Sequence, residues 1–378
     1  MIKKVGIYYR AKFEEESFET GCGGSDAWVI QVAKEFVKQG YYVVVFCDTP
    51  NWKLTHSMVE YCHLDNLPLR CKLLQHFDYF IMTRCFYENI YNMVVELGCE
   101  NIYLQSHDMF IWNKELYYNK FIYQPNKYPY LKKFIALTDF HKWELQEYNQ
   151  IPENMIEVIG NGLDSDILSK VENEPLPEKD NSILFSSVYT RGGDILVNYI
   201  LPLVKKEIPD FKVRLCGYAD VYPEDLKHNP NVEILGMLTK EDYYREFRKH
   251  KVWFLPCVVP EDFGLCVGDA VISGCEIVST FKHGMKDVCK PFVHLSMKNE
   301  FKVKETGKYH CSSYTLDMNE KDFNETCQEA ANMIIDSIRN YDDEEKKKQR
   351  ESFKKYMVET HTWEHVVNKW VDLFESGH

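Results

Sequence analysis

Among its thirteen cysteines the 378-residue chain has no Cys-x-x-Cys pair, and nowhere does it approach the roughly 18 consecutive apolar residues that cross a bilayer. Positive charge is also short, with 45 lysines and arginines against 58 aspartates and glutamates, a net charge of -13. Each absence removes a class of function. Without paired cysteine spacing there is no basis for a structural metal. Cys22, Cys47, Cys216, Cys257 and Cys266 fall in or beside apolar runs, where cysteine behaves as a small hydrophobe, so reduced thiols in a cytoplasmic protein are expected. Without an apolar span there is no integral membrane segment, and any membrane contact is peripheral. A general nucleic-acid binder releases counterions through a positive surface, and the acidic balance excludes that role. The sequence opens Met1-Ile2-Lys3-Lys4-Val5-Gly6, and no signal peptide is expected.

What the chain does have is enough length and apolar content, 45% of residues, for two α/β cores. The run Lys4 to Tyr9 reads as a strand, the glycine-rich turn Gly21-Cys22-Gly23-Gly24 opens a helix from Ala27 to Lys38, and Tyr42 to Cys47 reads as a second strand. A nicotinamide fingerprint is the generic alternative. It requires G-x-G-x-x-G directly after the strand, and the long acidic loop here does not supply that spacing. Strands are also expected at Asp78 to Thr83, Asn101 to Gln105, Lys133 to Thr138 and Met155 to Ile159, alternating with helices at Glu88 to Leu97 and Asp139 to Tyr148. This alternation points to a doubly wound parallel sheet. His107, in Gln105-Ser106-His107-Asp108, then lies just past a strand end, the edge where such sheets place ligands.

A second alternating series begins at Ser182 after a polar linker. Arg191-Gly192-Gly193 precedes a helix, and an arginine beside glycines at a helix N-terminus suits a phosphate. Thr239 is a good N-cap for a helix from Lys240 to Lys249, with Gly236-Met237-Leu238 just before it. The segment from Glu261 to Ser279 follows the apolar run Val252 to Pro256. It reads as acidic loop, helix from Leu265 to Ile272, glycine stop at Gly274 and strand. Glu261 and Asp269 stand eight residues apart, so one acid lies in the loop and the other about a turn into the helix. The tail beyond Asp322 is helical, with an apolar stripe formed by Trp363, Val366, Val367, Trp370, Val371 and Phe374.

The order Glu261-Asp262-Phe263-Gly264-Leu265 followed by Asp269 resembles the Glu-x7-Glu signature of retaining GT-B glycosyltransferases, of the kind called glycosyl transferases group 1. Asp269 stands where the second glutamate is usual. Asn161-Gly162-Leu163-Asp164 resembles the family's Asn-Gly-Val-Asp motif, and His283-Gly284-Met285-Lys286-Asp287 takes the place of its Gly-Gly-x-x-Glu loop. Of the family's usual phosphate pair of Arg and Lys-Gly, only the latter position is matched, as Arg191-Gly192. The resemblance covers nearly the whole chain. It implies an α/β GT-B fold: two Rossmann-like doubly wound domains facing a central cleft, with a C-terminal helix crossing back to the first.

The expected boundaries are 1–168 for an acceptor-side domain, 169–355 for a nucleotide-sugar domain and 356–378 for the returning helix. The resemblance also assigns roles. His107 and Glu261 act on the transferred sugar, while Gly23, Gly24, Arg191, Gly192, Met237, Leu238, Asp262, Phe263, Gly264, Leu265 and Asp269 hold the nucleotide-sugar, with Asp269 on the ribose. The donor is expected to be a UDP- or GDP-sugar, the acceptor a hydroxyl of a glycan, glycolipid or glycoprotein, the outcome retention, and no metal or other cofactor is required. Asp164-Ser165-Asp166 imitates a metal-binding Asp-x-Asp but belongs to the Asn-Gly-x-Asp match. Two alternatives stay open: a GT-B nucleotide-sugar epimerase, and a nucleotide-sugar-binding protein without turnover.

Overall fold

The computed structural model describes residues 2–12, 22–49, 52–113, 119–175, 177–217, 222–304 and 314–376. They form two compact units, Met1–Gly162 together with His361–His378, and Leu163–Thr360.

The first unit contains strands β1 (Lys4–Tyr8), β2 (Tyr42–Cys47), β3 (Lys53–Leu54), β4 (Glu60–His63), β5 (Tyr79–Thr83), β6 (Cys85–Phe86), β7 (Ile102–Gln105), β8 (Trp112–Asn113), β9 (Asn119–Lys120), β10 (Leu131–Ala136) and β11 (Ile156–Val158). Helices α1 (Gly24–Lys38), α2 (Leu67–Leu73), α3 (Glu88–Glu96) and α4 (Asp139–Asn149) alternate with them. The main sheet runs β11-β10-β7-β5-β1-β2-β4-β3, parallel except for β3, and β6, β8 and β9 make a small separate sheet. Its central strands are buried on both faces, which is why β2 reads Tyr-Val-Val-Val-Phe-Cys without alternation. Helix α1 begins three residues before the apolar pattern does, because the Asp26 carboxylate accepts the Gly23 N–H at 3.1 Å and caps the first turn.

Strand β4 and helix α2 have no counterpart in the expected elements. Glu60 interrupts the apolar pattern of β4, yet it is buried, with its carboxylate held by Arg70 and the Tyr42 hydroxyl. A buried charge satisfied from two other elements leaves no periodic trace in sequence.

The second unit contains α5 (Ser165–Glu172), β12 (Asp180–Phe185), α6 (193–207), β13 (Lys212–Cys216), β14 (Val232–Gly236), α7 (Lys240–Phe247), β15 (His250–Leu255), α8 (Leu265–Ile272), β16 (Glu276–Ser279) and α9 (Gly284–Val288). Its five-stranded sheet, β14-β13-β12-β15-β16, is wholly parallel. The crossovers run one way from β12 to β14 and the other way from β15 to β16, so the loops after β12 and β15 diverge at a topological switch point. Helix α6 contains a π turn, Leu196–Ile200, just ahead of Pro202, whose missing N–H and ring cannot sit in a regular turn.

The helical tail is three helices: α10 (Glu320–Arg339) and α11 (Glu344–Thr360) in the second unit, and α12 (Trp363–Glu375) in the first. Helix α12 buries Trp363, Val366, Val367, Trp370, Leu373 and Phe374 and packs on α1. Phe374 stacks on Tyr79 with centroids 3.9 Å apart, and Trp370 meets Trp28 and Tyr103 edge-on. A Cβ at Gly162 would lie 2.5 Å from the Trp363 backbone nitrogen, so glycine lets the chain leaving this unit touch the chain re-entering it.

Most of the unassigned excursion from Phe301 to Thr315 lies outside the described residues. At its base Val303 bridges Leu316 in antiparallel fashion, and the Tyr314 hydroxyl donates to Asp194 in the first turn of α6.

Candidate functional site

Two sequence motifs of the second unit meet at its switch point. The loop after β12 carries Arg191, Gly192 and Gly193 into α6, and the loop after β15 carries Glu261 to Gly264 into α8. Glycine is what lets these loops approach. At Gly192, with φ of +109°, an added Cβ would sit 2.2 Å from Pro256 Cγ, where β15 has just ended. Across the loops the Arg191 guanidinium donates to Glu261 Oε1 at 2.6 Å, with each side chain about one-fifth exposed. Burial pushes the Glu261 carboxyl above its ordinary range and Asp262 adds to that, while Arg191 draws it back.

The residue just before helix α8 is Gly264, whose φ of +79° and close neighbour, Met285 Cγ at 2.5 Å from a built Cβ, admit no side chain. Behind the acidic loop, the Gly284 N–H donates to the Glu261 carbonyl at 2.7 Å, and a Cβ at Gly284 would lie 2.1 Å from the Asp262 carbonyl oxygen. Cys257, Phe281 and His283 have φ of 51°, 44° and 56°. Left-handed backbone at three non-glycine positions around one loop is the kind of strain that packed surroundings hold at functional sites. The first-turn amides of α6 and α8 begin at this same edge of the sheet, which suits an anion. Phe263 is buried beneath the loop, and Asp262 and Leu265 are half-buried.

Asp269 behaves differently from Glu261. Its side chain is 4% exposed, and both carboxylate oxygens are engaged: Oδ1 accepts from the Tyr244 hydroxyl at 2.6 Å and Oδ2 from Lys240 Nζ at 3.0 Å. The same ammonium lies 3.3 Å from Asp164 Oδ2, so the Asn-Gly-x-Asp motif and the second acid of the central signature share one lysine. Burial works against the Lys240 charge, but Asp269 and Asp164 outweigh it and hold its pKa above the ordinary lysine value. The Tyr243 and Tyr244 rings lie 5.1 and 5.0 Å from the ammonium. Met237, exposed, and Leu238, half-buried, follow Gly236 at the end of β14. Neither Lys240 nor Tyr244 stands out in sequence, because a lysine in a first helical turn reads as a solvated face. The one available signal is that Tyr244 lies four residues on, on the same helix face.

In the first unit, a polar cluster gathers at the C-terminal ends of β1, β5, β7 and β10. Arg84 clamps Asp108 with bonds of 3.0 and 2.9 Å. His141 Nδ1 accepts the Leu137 N–H at 3.1 Å, which leaves the proton on Nε2 to donate to the Asp108 carbonyl at 2.9 Å. Arg84 and His141 thereby fix the loop that carries His107. The His107 ring meets Trp28 edge-on with centroids 5.3 Å apart, and its Nε2 has no hydrogen-bond partner among the described residues. Burial, then the charge of Arg84 and the proximity of His141, lower its pKa well below the ordinary value and keep the imidazole neutral. Gly23 and Gly24 open α1, where the Tyr9 hydroxyl donates to Asp26 at 2.6 Å.

Residues 180–304 match the family described as Glycosyl transferases group 1. No curated protein matches the chain in sequence. Among solved structures, a glycosyltransferase from Rickettsia africae is 16% identical with a TM-score of 0.69, covering 99% of this chain and 98% of that one. A sucrose-phosphate synthase from Thermosynechococcus elongatus is 12% identical with a TM-score of 0.64, covering 99% and 98%. HepE from Anabaena, in complex with UDP and glucose, is 13% identical with a TM-score of 0.61, covering 99% and 100%.

Proposed function

We propose that this GT-B protein, whose second unit carries the glycosyl transferases group 1 region, transfers a sugar from a nucleotide-sugar to an acceptor hydroxyl with retention and without a metal. The observation that carries the proposal is the pairing of Arg191 with Glu261 at the switch point of the second unit, beside two helix N-termini. Leaving-group departure puts negative charge on a nucleoside diphosphate. Arg191 and the first-turn amides of α6 and α8 are fixed donors for that charge. A phosphate oxygen would take the place of Glu261 on the guanidinium, which frees the carboxylate to orient the sugar. The Gly236-Met237-Leu238 loop is assigned to the base. UDP is the first donor nucleotide to test, since HepE, of the same fold, was solved with UDP and glucose.

His107 is the first unit's candidate for contact with the sugar. As a neutral imidazole whose Nε2 has no partner among the described residues, it offers a hydrogen bond without adding a positive charge that would repel developing positive character at the sugar ring. Gly23 and Gly24 are assigned to the donor phosphates, and the acceptor to the first unit as a glycan, glycolipid or glycoprotein hydroxyl. In front-face transfer the departing phosphate takes the acceptor proton, so no protein nucleophile is required.

The test is turnover of UDP- and GDP-sugars with proton NMR on the product. Transfer with the donor's anomeric configuration kept supports the proposal. Conversion of the donor to another sugar isomer would instead favour an epimerase, and tight binding without turnover a binding protein.

A further inference from the structure

We infer that Lys240, rather than Asp269, presents the hydrogen-bonding group to the ribose of the bound nucleotide, with Asp269 and Asp164 as its buried counter-ions; the inference rests on the nucleotide-sugar reading above.

The carboxylate of Asp269 is closed off. One oxygen is used by Tyr244, the other by Lys240, and only 4% of the side chain meets solvent. Lys240 is the more accessible partner of that pair, half-buried with 21% of its side chain accessible. An ammonium has three protons, and two carboxylates, at 3.0 and 3.3 Å, are its ion-pair partners. Among the described residues no third hydrogen-bond acceptor is seen on it, the Tyr243 and Tyr244 rings being its other neighbours, so one donor can turn to a ligand.

Its place in the fold fits a ribose. Lys240 follows Leu238 by two residues and so stands beside the loop assigned to the base. Its ammonium meets α8 at Asp269, less than one turn after Cys266, whose thiol donates to the Ser186 carbonyl at the end of β12. The end of β12 leads into the Arg191 loop assigned to the diphosphate. A group between base loop and diphosphate loop is where a nucleotide carries its sugar. The two counter-ions also explain how a half-buried lysine is held there: it neutralises two acids that the Asn-Gly-x-Asp motif and α8 would otherwise bury together.

The two candidate groups make opposite chemical demands. An ammonium only donates, so the ribose hydroxyl must accept, and fluorine, which accepts weakly, retains part of the interaction. A carboxylate only accepts, so the hydroxyl must donate, and fluorine is no better than hydrogen. Calorimetry on the intact protein therefore compares UDP with its 2′-fluoro, 2′-deoxy, 3′-fluoro and 3′-deoxy analogues, or the same series on GDP or ADP if one of those binds instead. The expected result at one of the two positions is an order of hydroxyl, fluorine, hydrogen. The loss from hydroxyl to hydrogen should be about tenfold, and the fluorine-over-hydrogen advantage should disappear in Lys240→Met. Fluorine equal to or weaker than hydrogen at both positions in the wild type, or an unchanged advantage in Lys240→Met, overturns the assignment to Lys240 while leaving the nucleotide-sugar reading intact. Binding of none of the three diphosphates overturns that reading, and this inference with it. Should Lys240→Met fail to fold, the wild-type series alone decides.

Discussion

Glu261 and Glu246 show how one residue type is pushed in opposite directions within the same unit. Burial raises the Glu261 carboxyl against the pull of Arg191, so its charged form is lost at a higher pH than an ordinary glutamate's. If the carboxylate orients the sugar, turnover has an acid limb displaced above the usual carboxylate range. Glu261→Gln should remove that limb and lower kcat about a hundredfold, the scale of one lost electrostatic contact, while nucleoside diphosphate affinity stays within about threefold. A pH profile of kcat beside calorimetry of the nucleotide checks both.

Glu246 is buried too, yet its pKa falls to about 2, because His250 and Lys249 more than offset burial. With a folded value below the unfolded 4.5, it lends stability that is fully present above about pH 4.5 and lost as pH falls through about 2. Melting temperature should therefore drop between pH 5 and 2, and Glu246→Gln should flatten that drop. An unchanged slope in the variant would remove Glu246 as the cause.

At the same scale, Arg191 and Glu261 are visible in the sequence, Arg191 as a cation beside glycines at a helix start and Glu261 through its spacing from Asp269. Asp269 was equally visible, but spacing does not say which way a carboxylate faces. Tyr244 and Lys240 turn it inward, and that depends on a neighbouring helix.

Helix α8 was legible to the residue, Leu265–Ile272, because its apolar spacing sits between two glycines with left-handed backbone, Gly264 and Gly274. Helix α7 was legible at its start, where the Thr239 hydroxyl accepts the Asp242 N–H at 3.1 Å. The short strands β6, β8 and β9 were not, since two-residue pairings have no period to read.

The glycines that made α8 readable also make it fragile. Gly264→Ala forces a side chain into left-handed backbone and against Met285, and should cost about 1–3 kcal/mol, read as a lower urea midpoint for the second unit. A midpoint equal to wild type would show that Met285 yields freely. In the first unit, Trp370 is wholly buried on α12, between Trp28, Tyr103 and Phe374. Trp370→Ala should cost about 3–5 kcal/mol and lower the melting temperature of that unit. An unchanged melting temperature would mean that α12 does not help hold the unit together.

For the whole molecule, the alternation of strands and helices points to two parallel-sheet units, and the apolar stripe of the tail marks a packed last helix, whose return to the first unit was implied by the GT-B resemblance. What alternation cannot give is strand order. The switch point between β12 and β15, where Arg191 and Glu261 meet, follows from which strand pairs with which. Metal independence belongs to this scale as well, because fixed donors of the fold would carry the leaving-group charge: turnover should survive EDTA. Complete loss on chelation, restored by Mn²⁺ or Mg²⁺, would return attention to Asp164 and Asp166.

The central claim is that the second unit holds a nucleoside diphosphate through Arg191. Calorimetry of UDP, GDP and ADP beside uridine, guanosine and adenosine, on the wild type and on Arg191→Ala, tests it most directly. The account predicts that at least one diphosphate binds more tightly than its nucleoside, and that Arg191→Ala reduces this advantage by about 1.5–3 kcal/mol, the worth of a charge-assisted hydrogen bond. No binding of any diphosphate, or an advantage that survives intact in Arg191→Ala, would contradict it.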